Sequence, residues 1–234
     1  MITESITKRL KKLGNQEQAA VSQRFFKTGP GEYGEGDIFL GIKVPVLRKL
    51  AKEYLNLSLK EVQRILGSKY HEQRLLALFV MVVQFSKGDP KKKKDIYELY
   101  LKNTGLINNW DLVDSSAHYI VGPYLMDKSK APLYELAQSS LLWERRIAIM
   151  ATFYYIKNDK FSHTLKIAGR LLADKEALIH KAVGWMLREI GKRHLPSEEA
   201  FLKKHYHNMP RTMLRYAIEK FPEPKRQRYL KGTV

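Results

Sequence analysis

The chain has 234 residues, 44% of them hydrophobic, no cysteine, and 42 Lys and Arg against 24 Asp and Glu, a formal net charge of +18. That hydrophobic share makes a globular chain with a core. The lack of cysteine excludes disulfides, thiolate nucleophiles and Cys-ligated zinc or iron–sulfur sites. The cationic excess favours nucleic acid, an anionic membrane or an acidic protein as partner. In chain order, the opening MITESITKRLKKLG is charged and amphipathic, with no apolar core of a signal peptide. Asn15, with Gln18 three residues on, opens a helix. Thr28 to Gly41 is the one long glycine-rich loop. Ser58 and Glu61 have capping-box spacing. Leu75 to Phe85 is apolar but too short to span a bilayer, and reads as a buried helix. Pro90 and Pro210 fit first-turn positions, and Lys91 to Lys94 reads as a solvated helix start. Alternating strand patterns are nearly absent.

A loose internal repeat runs through these helices. A charged residue followed by a short apolar run recurs near Arg74, Asp111, Arg146, Lys181 and Arg215, as in HEQRLLALFVM, WERRIAIMATF, IHKAVGWMLRE and RTMLRYAIEKF. The steps are about 34 to 37 residues, the range of two-helix repeats such as HEAT. The expected fold is therefore all-α: a HEAT-like helical-repeat solenoid of stacked antiparallel helix pairs, one domain over residues 1–234, with a concave basic surface. Residues 140–234 carry 20 Lys and Arg against 9 Asp and Glu, so the main polyanion surface is expected there.

Several motifs dissolve on inspection. Gly29, Gly31 and Gly34 match GxGxxG as a string, but a helical segment precedes them, and Glu32, Glu35 and Asp37 would repel a pyrophosphate. The histidines have no metal spacing: His205 and His207 would point apart on a helix. His118 and His180 read as packing residues. No GxSxG is present. The informative run is Asn108-Asn109-Trp110-Asp111-Leu112-Val113-Asp114. It puts an aromatic face and a carboxylate four residues apart, neighbours on a helix. A carboxylate on a surface for a polyanion is a liability unless it does chemistry. Trp110, Trp143 and Trp185 each lie near charged helix positions, the interleaving used for stacking and cation–π contact in nucleic-acid grooves.

NNWDLVD, LLWERRIAI and HKAVGWMLREIGK resemble the signature regions of the AlkD-type DNA alkylation-repair glycosylases, over roughly Phe25 to Phe221. The resemblance implies HEAT-like repeats and excision of cationic N3- and N7-alkylated purines from duplex DNA. It implies Asp114 as the catalytic carboxylate, Trp110 and Trp185 as the aromatic residues against the damaged nucleotide, and Arg146 as a phosphate ligand. Phe25 falls near a further aromatic position. Arg145, Lys181 and Arg188 stand beside these residues as DNA-binding candidates. The resemblance also implies that the lesion is recognised through backbone and charge, without a closed base pocket. The expected protein is a monomer with no metal, no cofactor and no membrane partner, in the cytoplasm at the nucleoid. Two alternatives stay open: a non-catalytic DNA-binding repeat protein, and a helical scaffold for an acidic protein.

Overall fold

A computed structural model describes residues 2–234, and these are helical with short connections. They form two compact units, the first ending at Ser116 and the second spanning Ala117–Val234.

The first unit holds α1 (Ile2–Leu13), α2 (Gln16–Phe25), α3 (Val44–Glu53), α4 (Leu59–Leu66), α5 (His71–Lys87), α6 (Pro90–Lys102) and α7 (Trp110–Asp114). Its helices start where the sequence places them. The Asn15 side chain accepts from the Gln18 amide, and Ser58 and Glu61 make a reciprocal capping box. Asp89 caps α6, with Pro90 in the first turn. Helix α5 is the centre: Leu75 to Met81 are all buried, and α3, α4, α6 and α7 pack on it.

The second unit holds α8 (Ala117–Leu125), α9 (Ala131–Leu136), α10 (Leu142–Ala151), α11 (Phe153–Ile156), α12 (Ser162–Arg170), α13 (Ala177–Gly191), α14 (Leu195–His205), α15 (Arg211–Ala217) and α16 (Glu223–Lys231). Pro210 stands just before the first turn of α15, one position earlier than expected. Helix α13 is the centre here, packed by α10, α12, α14 and α15.

A contact repeats within this unit. Gly122 on α8 lies against the Ala151 carbonyl and the Tyr154 side chain, and Gly184 on α13 lies against the Met213 carbonyl and the Tyr216 side chain. The second set follows the first by 62 residues at every position, from 122 to 184, 151 to 213 and 154 to 216. A Cβ at either glycine would overlap the facing carbonyl oxygen, so only glycine lets these helices approach so closely. Among the described residues no helix is long and apolar enough to cross a membrane.

Candidate nucleic-acid site

Trp110 and Asp114 are the first and last residues of α7, which has only five residues. A helix this short has too few internal hydrogen bonds to hold itself, so its placement comes from its ends and side chains. Asn109, fully buried, caps it: its Oδ1 accepts from the Trp110 amide at 2.8 Å. Its Nδ2 donates to Asp37 at 3.2 Å. One residue further on, Asp111 meets the His71 Nε2 at 2.8 Å, and the opposite ring nitrogen, Nδ1, meets Asp37 at 2.9 Å. The second Asp37 oxygen accepts from the Arg74 guanidinium. Burial resists charge on this cluster, but the hydrogen bonds win. Asp37 stays below the usual carboxylate range, held there by His71, Arg74 and Asn109 against its burial. His71 is pulled down by burial yet pushed up to about 9 by Asp111 and Asp37.

The glycine-rich loop is fastened to the same place. The buried Glu72 carboxylate accepts the backbone amides of Leu40, Gly41 and Ile42 at 2.7–3.2 Å. Gly41 has φ +78°, and a Cβ there would overlap the Asn15 carbonyl, so glycine is required on both counts. Asp37, read from sequence only as an obstacle to a phosphate, is a buried structural carboxylate.

The Trp110 ring ends an aromatic stack. It lies on Phe26 at 5.1 Å and 19°, Phe26 on Phe39 at 4.9 Å, and Phe39 on His71 at 4.3 Å. Phe25 meets the Trp110 ring edge-on at 5.9 Å and is 64% exposed, the most exposed large hydrophobic side chain among the described residues. Asp114, half-buried, sits close enough to the buried Tyr100 hydroxyl to add to the rise in its pKa, which burial dominates. Phe25 and Trp110 thus touch in the first unit, and Asp114 stands at the other end of the Trp110 helix.

The other expected residues lie in the second unit. Arg146 on α10 is buried, 5% exposed, and donates to the Leu178 carbonyl. Arg145 is committed to structure: it pairs with Asp174 at 2.6 Å and donates to the Ser139 and Ser140 carbonyls at 2.9 Å. On α13, Lys181 is exposed and Arg188 pairs with Glu219. Trp185, half-buried, packs beside Phe153 at 5.8 Å, and its Nε1 donates to Glu189 at 3.3 Å. Glu189 is held ionised against its burial by Lys192 and Arg193. Lys157 lies 4.3 Å from the Phe153 ring centre, which gives this unit its own aromatic and cationic neighbourhood.

Sequence reasoning gave no role to His71, Phe26 or Phe39, and did not find the structural roles of Asp37 and Asn109. One signal was available: the polar run His71-Glu72-Gln73-Arg74 opens an otherwise apolar helix and is entirely buried. Four consecutive buried polar side chains need partners from elsewhere in the fold.

The protein is all-helical, with Trp110 and Asp114 at the two ends of a clamped short helix. The chain belongs to the DNA alkylation repair enzyme family, whose model matches residues 6–221. No curated protein matches it. Among solved structures it is similar to a predicted DNA alkylation repair enzyme from Enterococcus faecalis, at 17% identity and TM-score 0.69, covering 90% of this chain and 97% of that one. It is also similar to AlkD2 from Streptococcus mutans, at 18% identity and TM-score 0.54, covering 94% of this chain and 98% of that one. These structures share the helical fold.

Proposed function

We propose that this protein is a DNA glycosylase of base excision repair that releases cationic N3- and N7-alkylated purines from duplex DNA. The carrying observation is the pairing of Trp110 and Asp114 on α7, in a chain of the alkylation repair family. Alkylation at N3 or N7 puts a positive charge on the purine, so it is already a good leaving group. When the N-glycosidic bond breaks, its electron pair returns to the base, which departs neutral. Positive charge then develops on the sugar. Asp114 supplies a negative charge beside C1′ as that happens, an interaction stronger in the transition state than before it. Water adds to C1′ and loses its proton, which in this reading Asp114 accepts.

The faces of Trp110 and Trp185 contact the damaged nucleotide and its developing cation. Arg146 holds phosphate and fixes register without reading a base. Arg145, Arg188, Lys181 and Phe25 are assigned weaker roles in DNA contact, Arg145 the least because Asp174 and two carbonyls already occupy it. The protein acts as a monomer, needs no metal or cofactor, and works on DNA at the nucleoid. The test is incubation with a duplex bearing a single 7-methylguanine, followed by detection of abasic sites. Release of 7-methylguanine and 3-methyladenine with uracil untouched is expected, because uracil would leave as an anion and need an added proton donor. Equal rates on uracil and 7-methylguanine would overturn the mechanism.

A further inference from the structure

We infer that His71 is a positioning residue: bridged to Asp37 through one ring nitrogen and to Asp111 through the other, it sets where Trp110 and Asp114 stand. The inference rests on the functional reading above for its consequence, but its geometry is independent of it. The contacts are 2.9 Å to Asp37 and 2.8 Å to Asp111. His71 is 1% exposed.

The protonation state follows from this geometry. An ionised carboxylate only accepts, and a neutral imidazole has one N–H. In the neutral ring one contact would set a nitrogen lone pair against a carboxylate oxygen. The imidazolium donates on both sides and satisfies both. The groups facing it are Asp37 from the glycine-rich loop, Asp111 from α7 and the rings of Phe26 and Phe39, with Arg74 on the far oxygen of Asp37. Two cations and two carboxylates therefore close a buried cluster of zero net charge. Without a cation at His71, Asp37 and Asp111 would be left with one, Arg74.

Three segments distant in sequence meet at this ring: the loop at Asp37, the start of α5, and α7. The ring holds α7 in two ways. Asp111 fixes the helix through a charged hydrogen bond, and the stack from His71 through Phe39 and Phe26 supports the Trp110 ring. The imidazolium also offsets Asp111, which lies three residues before Asp114 on the same turn, where like charges repel. Misplacing a reacting group by about 1 Å costs on the order of 100-fold in rate, so a residue that never touches substrate can still govern it.

The experiment has three arms on the full chain. Nitrogen-detected NMR of the histidine rings is expected to show both His71 nitrogens protonated at pH 7.5, with loss of a proton near pH 9. A ring with a single proton at pH 7.5 would overturn the inference. The fluorescence of Trp110, with Trp143 and Trp185 replaced by phenylalanine, is expected to change with the same midpoint and to lose that transition in His71→Gln. Emission that ignores His71 would also overturn it. In the third arm, single-turnover release of 7-methylguanine by His71→Gln is expected to fall about 10- to 100-fold and to lose the wild-type decline near pH 9. Asp111→Asn keeps the histidine and the side-chain shape. It serves where His71→Gln does not fold, with the same expected change in Trp110 emission and rate. Folded variants with wild-type rate and pH profile refute the positioning role. If the wild type itself releases no alkylated base, the functional reading fails, while the NMR and fluorescence arms still decide the clamp.

Discussion

Asp114 and Arg146 divide the proposed chemistry between charge at the reacting carbon and hold on the backbone. Asp114→Asn keeps shape and removes charge. Excision is expected to fall roughly 100- to 1000-fold, the usual cost of one preorganised electrostatic contact, while DNA affinity holds or rises because a repulsive charge has gone. Single-turnover kinetics with a parallel binding titration checks this, and near-wild-type excision would make Asp114 structural. Arg146→Ala is expected to weaken damaged and undamaged duplex alike. Arg146 is buried and satisfies the Leu178 carbonyl, so the same variant should also lose about 1–3 kcal/mol of stability. A melting curve beside the binding titration separates the two effects, and a change in discrimination between lesion and normal DNA would make Arg146 a lesion reader instead.

At the level of helices, much was legible because the signals are local. Asn15, Ser58 and Asp89 cap helices within three residues of themselves, and the apolar run inside α5 reads as buried without knowing its partners. Trp110 and Asp114 share α7 for the same reason. The clamp was not legible, because His71 finds Asp37 and Asp111 at separations of 34 and 40 residues. The repeated glycine contact in the second unit was equally hidden. It predicts that Gly122→Ala and Gly184→Ala each destabilise the protein by roughly 1–3 kcal/mol, as overpacking does. Chemical denaturation would show it, and a neutral outcome would mean the helices separate without cost. Helix α14 carries a different sensitivity. Glu198, 1% exposed, is pushed up to about 8 by burial, with Arg188 and Lys225 opposing the shift. The folded form thus holds a proton that the unfolded chain has released. The resulting stability is full below about 4.5 and is lost as pH rises through about 8. Glu198→Gln should flatten that decline in a series of melts from pH 5 to 9, and an unchanged slope would show that Glu198 is not its source.

For the molecule as a whole, charge is the dominant property. The second unit carries 22 Lys and Arg against 11 Asp and Glu, and the first 20 against 13. Both are cationic, the second more so, in line with the uneven charge read from sequence. Several of these cations are already spent internally: Arg74 on Asp37, Arg145 on Asp174, Arg188 on Glu219 and Lys225 on Glu199. Formal charge therefore overstates what is available to a polyanion. Duplex binding is expected to weaken with salt by about 0.9 in log–log slope per phosphate neutralised, and a slope near zero would favour a protein ligand over DNA.

The chain crosses from the first compact unit to the second once, after Ser116. Every partner in the His71 clamp, from Phe26 to Asp111, precedes that crossing. During synthesis the whole assembly has emerged before any residue of the second unit needs to pair with it. Domains generally fold as units, the N-terminal one first. The aromatic stack and the carboxylate of α7 are thus framed by contacts that do not wait for Arg146 or Trp185 to be made.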